Sequence, residues 1–249
     1  MKEERFFYAP ELAEQEVSPS RGDLEGSEAN HALRVLRLGV GDEIRLMDGK
    51  GTFYRATITT ATGHRLLYQI DEAEPQQPAW QGHLHLAMAP TKLMDRVEWF
   101  AEKATEIGFD ELSFLNCKFS ERKVMRTVRL EKIVVSAMKQ SRKPWKPVVN
   151  QMQSFREFIS QPREGLKFIA HCYQDIPRED FFGIVSRAEN AQADGDITVL
   201  IGPEGDFSPE EVRAAIDHGY QSISLGSERL RTETAALSAV MMAHLVRRL

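Results

Sequence analysis

From His83 to the end of the chain, short apolar runs alternate with stretches that repeat at helical spacing. That alternation leaves few folds open, because strands separated by helices run parallel and a parallel sheet needs helices over its faces. The strand-like runs are HLHLAMA (83–89), ELSFLN (111–116), LKFIAHC (166–172), ITVLI (197–201) and SISL (222–225). Helices are expected from about Leu93 to Ile107, near 128–140, near 154–159, around Arg178 to Ala188, from Pro209 to His218 and from about Glu233 to Arg247. In the first of these, Val97, Phe100, Ala101, Ala104 and Ile107 share one face, the stripe a helix lays on a sheet. The expectation is an α/β domain with a mainly parallel sheet.

The first 72 residues read differently. Short β-type runs cover 42–48, 52–60 (TFYRATITT) and 64–71 (HRLLYQID), with Gly49-Lys50-Gly51 as a turn between the first two. Their only long helical pattern is Ala29 to Leu38, so a small β-barrel or rolled sheet is expected. The segment DEAEPQQPAWQG (71–82) has two prolines and little core material and reads as a linker. The expected domains are therefore 1–72 and 83–249, joined by 73–82.

Cys117 and Cys172 are the only cysteines and lack metal-ligand spacing, which fits a reducing, cytoplasmic setting with no metal. No run reaches the roughly 18 apolar residues of a membrane span, and residues 1–16 have no signal-peptide core. The net charge of −5 argues against a nucleic-acid partner, but it is unevenly spread. Between Lys118 and Pro147 ten basic residues face only Glu121 and Glu131.

Common enzyme signatures are missing: there is no GxxxxGK[ST], no HExxH and no GxSxG. His83 and His85 share one strand face without a third ligand nearby and read as structural histidines. Two glycine loops remain, Ile201 to Phe207 (IGPEGDF) and LGSERLRTETAALSAV (225–240). Each follows an expected strand. In the first, Ser208-Pro209-Glu210-Glu211 reads as an N-cap with proline at the first helical position. Open parallel sheets bind ligands at the carboxyl ends of their strands, where such loops meet.

The pair LIGPEG and LGSERLRTETA resembles the last two motifs of the SPOUT, or trefoil-knot, methyltransferases, specifically the bacterial 16S rRNA uracil-N3 methyltransferases. The resemblance extends over nearly the whole chain: Arg5-Phe6-Phe7, HALRVLRLGVGDEI (31–44) in a PUA-like first domain, KATEIG (103–108) and QSRKPWKP (140–147). It implies a C-terminal knotted domain, S-adenosylmethionine as cofactor, a homodimer formed through that domain, and 16S ribosomal RNA or the small ribosomal subunit as partner. The chain departs from the family pattern at Asp206, where a second glycine is usual, and at Ser136, where an acid is usual.

Carried onto this sequence, the cofactor loops comprise Leu200, Ile201, Gly202, Pro203, Glu204 and Gly205, then Leu225, Gly226, Ser227, Leu230, Arg231 and Thr232. Leu200, Ile201, Leu225 and Leu230 would supply apolar walls, and His171 should lie on the same edge. Methylation at uracil N3 requires loss of an imide proton, with Glu204 and Glu233 as candidate acceptors and Arg231 as the stabilising cation. Glu233 reads equally as a first-turn helix acid and Glu204 as facing the positively charged sulfonium, so the acceptor stays unassigned. Arg5, Arg34, Arg37, Lys118, Arg122, Lys123, Arg126, Arg142 and Lys143 are candidate RNA contacts, with Trp145 available to stack on a base. Arg34 and Arg37 are expected three apart on one helix. Arg247 and Arg248 read as helix C-terminal dipole partners. A ribose 2′-hydroxyl methyltransferase and a noncatalytic assembly factor of the same fold remain open. The last helix carries Leu237, Val240, Met241, Leu245 and Val246 around much of its circumference, as a core or interface helix does.

Overall fold

The computed structural model describes residues 4–14, 20–63, 65–187 and 195–246; expectations that fall on His64, Ala188, Arg247 and Arg248 lie outside them. The chain divides into two compact units, Met1–Ala79 with Met138–Lys146, and Trp80–Ala137 with Pro147–Leu249.

In the first unit β1 (Phe6–Tyr8), β2 (Arg21–Leu24), β3 (Glu43–Met47), β4 (Thr52–Thr62) and β5 (Arg65–Pro75) form one sheet in the order β1-β3-β4-β5-β2. Alternation along β3, β4 and β5 buries Ile44, Leu46, Tyr54, Ala56, Ile58, Leu66 and Tyr68 together with Phe7. The Asp48 carboxylate shapes the turn from β3 to β4 by accepting the N–H groups of Lys50 (2.7 Å) and Thr52 (3.0 Å). Residues 71–75 end β5, although their composition reads as linker. The helix expected over 29–38 is broken: α1 (Gly26–Asn30) passes into a wide turn, His31–Val35, closed by the Leu36 N–H on the His31 carbonyl. Arg37 follows at φ 55, so it shares no helical face with Arg34.

The second unit runs β6 (Leu84–Met88), α2 (Met94–Ile107), β7 (Glu111–Asn116), α3 (Val128–Gln140), β8 (Val148–Ser154), α4 (Phe155–Ser160), β9 (Leu166–Ala170), β10 (Glu179–Asp180), α5 (Phe181–Val185), β11 (Ile197–Ile201), α6 (Pro209–Asp217), β12 (Gln221–Ser224) and α7 (Thr232–Val246). Its strands form a parallel sheet, β10-β12-β9-β11-β6-β7-β8. Central β6 and β11 are buried along their full length, as strands covered on both faces must be. One face packs Val97, Phe100, Val199, Ile201 and Val240; the other packs Ala87, Phe158, Leu200, Phe207 and Val212. Strand β12 enters between β9 and β10, both laid down earlier, and the chain then continues into α7 against α2, α5, β6 and β11. That insertion agrees with the knotted SPOUT-type α/β domain the sequence resemblance implies, a rare exception to the rule that connections do not thread.

The segment after α3 belongs to the first unit. Arg142, at φ 53, caps α3: its N–H meets the Lys139 carbonyl and the Lys143 N–H meets the Met138 carbonyl. The strap that follows pairs with the β3–β4 turn through Gly51 N–H to Pro144 O (3.1 Å) and Lys146 N–H to Gly49 O (3.0 Å).

Candidate active site

The carboxyl ends of β6, β9, β11 and β12 surround a cavity of about 410 Å³ in the second unit. Its walls come from Thr91, Leu93 and Arg96 after β6, 170–172 and Arg178 at and beyond the end of β9, 201–204 and Asp206 at and beyond the end of β11, and 223–226 with 228–233 at and beyond the end of β12. The sequence dictates this convergence. Each strand ends where a glycine, proline or polar cluster stops the ladder, and Ser208 then caps α6 by accepting the Glu211 N–H. Gly202 suits a close approach here, since a Cβ would lie 3.0 Å from the Phe207 nitrogen, tighter than an ordinary contact.

His171 is 4% exposed. Its Nδ1 accepts the Tyr173 N–H at 3.2 Å, which leaves the proton of the neutral ring on Nε2. That Nε2 is buried and has no hydrogen-bond partner among the described residues. Burial lowers the His171 pKa from its ordinary value; Arg178 acts in the same sense, and Asp206 and Asp175 oppose it. The ring is therefore a neutral donor on the cavity wall.

Glu233, in the first turn of α7, is 4% exposed and its Oε1 lies 3.6 Å from Arg96 Nη1. Glu204 is exposed and accepts the Lys92 N–H at 2.8 Å. Arg122 grips the same β6–α2 loop, donating to the Thr91 carbonyl (3.2 Å) and the Lys92 carbonyl (2.6 Å). Arg231 and Arg229 are exposed at the rim.

Of the expected cofactor-loop residues, His171, Ile201, Gly202, Pro203, Glu204, Leu225, Gly226, Leu230, Arg231 and Thr232 line the cavity. Three do not. Strand alternation sends Leu200 into the opposite core with Phe155 and Phe207, Gly205 sits against Phe119, and the Ser227 hydroxyl donates to Glu228. Sequence reasoning missed Thr91, Leu93, Arg96, Arg178 and Arg229. The signal for the first three was present: Pro90-Thr91-Lys92 ends an apolar strand that a parallel sheet places beside β11.

The basic segment from Lys118 to Pro147 is divided between the two units. Acids distant in sequence offset much of its charge: Lys118 pairs with Glu210 (3.2 Å), Arg129 with Glu98 (2.7 Å), Lys139 with Glu28 (2.6 Å) and Arg142 with Glu4 (3.8 Å). Lys123 donates to the Cys117 carbonyl at 3.0 Å. Arg126 is exposed and makes no ion pair among the described residues. In the first unit Trp145 is 40% exposed, with one side of its ring against Gly51. Arg5, Arg34 and Lys143 each have a partner in the fold. Ser136 lies on the exposed side of α3. No described helix is long and apolar enough to cross a membrane.

A family model for an RNA methyltransferase domain matches residues 78–244, and one for an RNA methyltransferase PUA domain matches residues 24–71. The chain is 27% identical over 248 residues to a Rickettsia conorii protein named Ribosomal RNA small subunit methyltransferase E, covering 99% of this chain and 97% of that one. Its fold is similar to the crystal structure of a probable rRNA-methyltransferase from Porphyromonas gingivalis, with a TM-score of 0.85, 38% identity and 98% of each chain covered. It is also similar to Ribosomal RNA small subunit methyltransferase E from Neisseria gonorrhoeae bound to S-adenosyl methionine, with a TM-score of 0.78, 27% identity, and 96% and 95% of the two chains covered.

Proposed function

This chain belongs to the RNA methyltransferase domain family, and from that premise we propose that it transfers a methyl group from S-adenosylmethionine to N3 of a uridine in small-subunit ribosomal RNA. The observation that carries the reading is the cavity where the ends of β6, β9, β11 and β12 converge. At about 410 Å³ it falls in the roughly 300–1,000 Å³ range of small-molecule sites.

The residues present fit such a cofactor. Ile201, Leu225 and Leu230 offer apolar wall, backbone groups of the glycine loops offer edge contacts, and His171 Nε2–H is a buried donor on the same wall. Bound there, S-adenosylmethionine supplies an electrophilic methyl group. The chain's own task is to hold uracil against it and stabilise the anion formed when N3 loses its proton. Arg96, Arg229 and Arg231 around the cavity provide cations for the charge that spreads onto the flanking carbonyl oxygens. Glu233 is assigned as proton acceptor, since it is held within the wall whereas Glu204 is committed to the Lys92 N–H.

RNA is held by Arg126 of the second unit and by Trp145 with Lys50 of the first, where the exposed ring supports base stacking. Met241 and Leu245, exposed on α7, support a homodimer through the knotted domain, testable by light scattering. The function is tested by calorimetry with S-adenosylmethionine and its demethylated product, and by nucleoside mass spectrometry of 16S rRNA from a strain lacking the gene. Binding together with loss of 3-methyluridine is expected. Loss of a ribose methyl instead would move the reaction to the 2′-hydroxyl, and no binding would leave an assembly factor.

A further inference from the structure

Asp206 stands at φ 67, in the left-handed region that glycine enters freely and other residues enter at a cost. It is tolerated there because aspartate bonds locally. The Asp206 N–H closes the turn on the Pro203 carbonyl at 2.9 Å, and Oδ1 accepts the Phe207 N–H at 2.7 Å. Glycine could supply the same backbone path. What glycine could not supply is Oδ2, which accepts the N–H of Cys172 at 2.8 Å across 34 residues of chain.

Cys172 directly follows His171, and residues 170–172, 201–204 and Asp206 all line the cavity. One carboxylate thus ties the loop after β9 to the loop after β11. No backbone hydrogen bond between residues 171–173 and 202–207 accompanies it among the described residues; the other link is the Tyr173 hydroxyl on the Phe207 carbonyl at 2.7 Å. Both carboxylate bonds are charge-assisted and short, the class worth more than a neutral pair.

We propose that Asp206 is a positioning residue for the cofactor pocket of this chain: its carboxylate staples the β9 and β11 loops together and so fixes His171 against the cavity before ligand arrives. The inference rests on the reading of that cavity as an S-adenosylmethionine site. Preorganisation of this kind raises affinity by removing the ordering cost from the binding step. It leaves the chemical step untouched, because Asp206 is not assigned a contact with the reacting atoms.

The test compares wild type with Asp206→Gly and Asp206→Asn. Glycine keeps the left-handed path and removes both side-chain bonds, so the variant folds; asparagine keeps the shape and one acceptor oxygen. In calorimetry, Asp206→Gly is expected to weaken S-adenosylmethionine and its demethylated product about tenfold, with Asp206→Asn between it and wild type. The cofactor KM rises in step while kcat at saturating cofactor stays within twofold. Without ligand, the Cys172 amide exchanges with solvent faster in Asp206→Gly. Cofactor dissociation constants within twofold of wild type in both variants overturn the proposal, as does a fall in apo stability or kcat with affinity unchanged. Failure of the wild type itself to bind either ligand is a distinct result: it removes the parent reading, and the positioning role falls with it.

Discussion

Lowering the pH should weaken the second unit through His85, and the size of the effect follows from its surroundings. The ring lies in the core with its edge against Phe158; Nδ1 accepts from Arg163 Nη1 at 3.1 Å, and Nε2 bonds the Ser113 hydroxyl at 2.8 Å. Burial, with Arg163 and then His83 adding repulsion, pushes its pKa from 6.5 down to about 3. Glu111 Oε2 lies 3.5 Å from Nδ1, but the nearer Arg163 already occupies that nitrogen, so the ring stays neutral rather than pairing with the acid. Because the folded value is depressed, the unfolded chain takes up the proton first; the stabilisation is complete above pH 6.5 and is lost as pH falls toward 3. Between pH 8 and pH 5 the loss is roughly 2 kcal/mol at 1.36 kcal/mol per pH unit, and it barely depends on the folded pKa so long as that lies well below 5. Amide exchange of β6 and β11 at the two pH values, in wild type and His85→Gln, reads the stability of this unit directly. The variant should lose about 2 kcal/mol less than wild type over that interval. Equal losses, or a His85 resonance that titrates near 6.5, would refute the reasoning.

Three further outcomes follow from the geometry. Gly51→Ala should destabilise the first unit by roughly 1–3 kcal/mol, because its φ is 106 and the new Cβ would lie 2.2 Å from Trp145 Cζ2; an unchanged urea midpoint would contradict the packing. Glu233→Gln should reduce kcat by about a hundredfold or more while cofactor affinity stays within twofold, as expected for loss of a proton acceptor; full activity would exclude Glu233 from that role. Arg126→Ala should lower the slope of log affinity against log salt for ribosomal RNA by about 1, and an unaltered slope would mean that the guanidinium meets no phosphate.

The strands at the centre of the second unit were legible because burial on both faces writes an unbroken apolar run, as in ITVLI. At the sheet's edge that signal fades. Strand β8, VVNQMQS, pairs among the described residues with β7 alone and has polar residues at Asn150, Gln151 and Gln153, so its strand character comes from the partner and not from its own composition. Strands β1 and β2 are likewise short and defined by distant pairing with β3 and β5. Helical periodicity over 29–38 was real but did not reveal the wide turn that reaims Arg37. The charge of the basic segment was overestimated for a related reason: a local count cannot see Glu4, Glu28, Glu98 and Glu210 folding back onto it.

Strand alternation already implied that Leu200 and Ile201 face opposite ways, so a wall using both was inconsistent with the strand reading. Asp206 marks the limit more sharply. Its sequence position identifies a departure from glycine, and its chemistry explains tolerance of a left-handed turn. Its purpose lies in the Cys172 N–H, on a different strand end, which becomes a neighbour only when β9 and β11 pair from Leu166↔Ile197 to Ala170↔Ile201. The pairing register brings Cys172 within reach of Asp206, so a one-residue slip of β9 would reverse its faces and remove the staple and the His171 donor together.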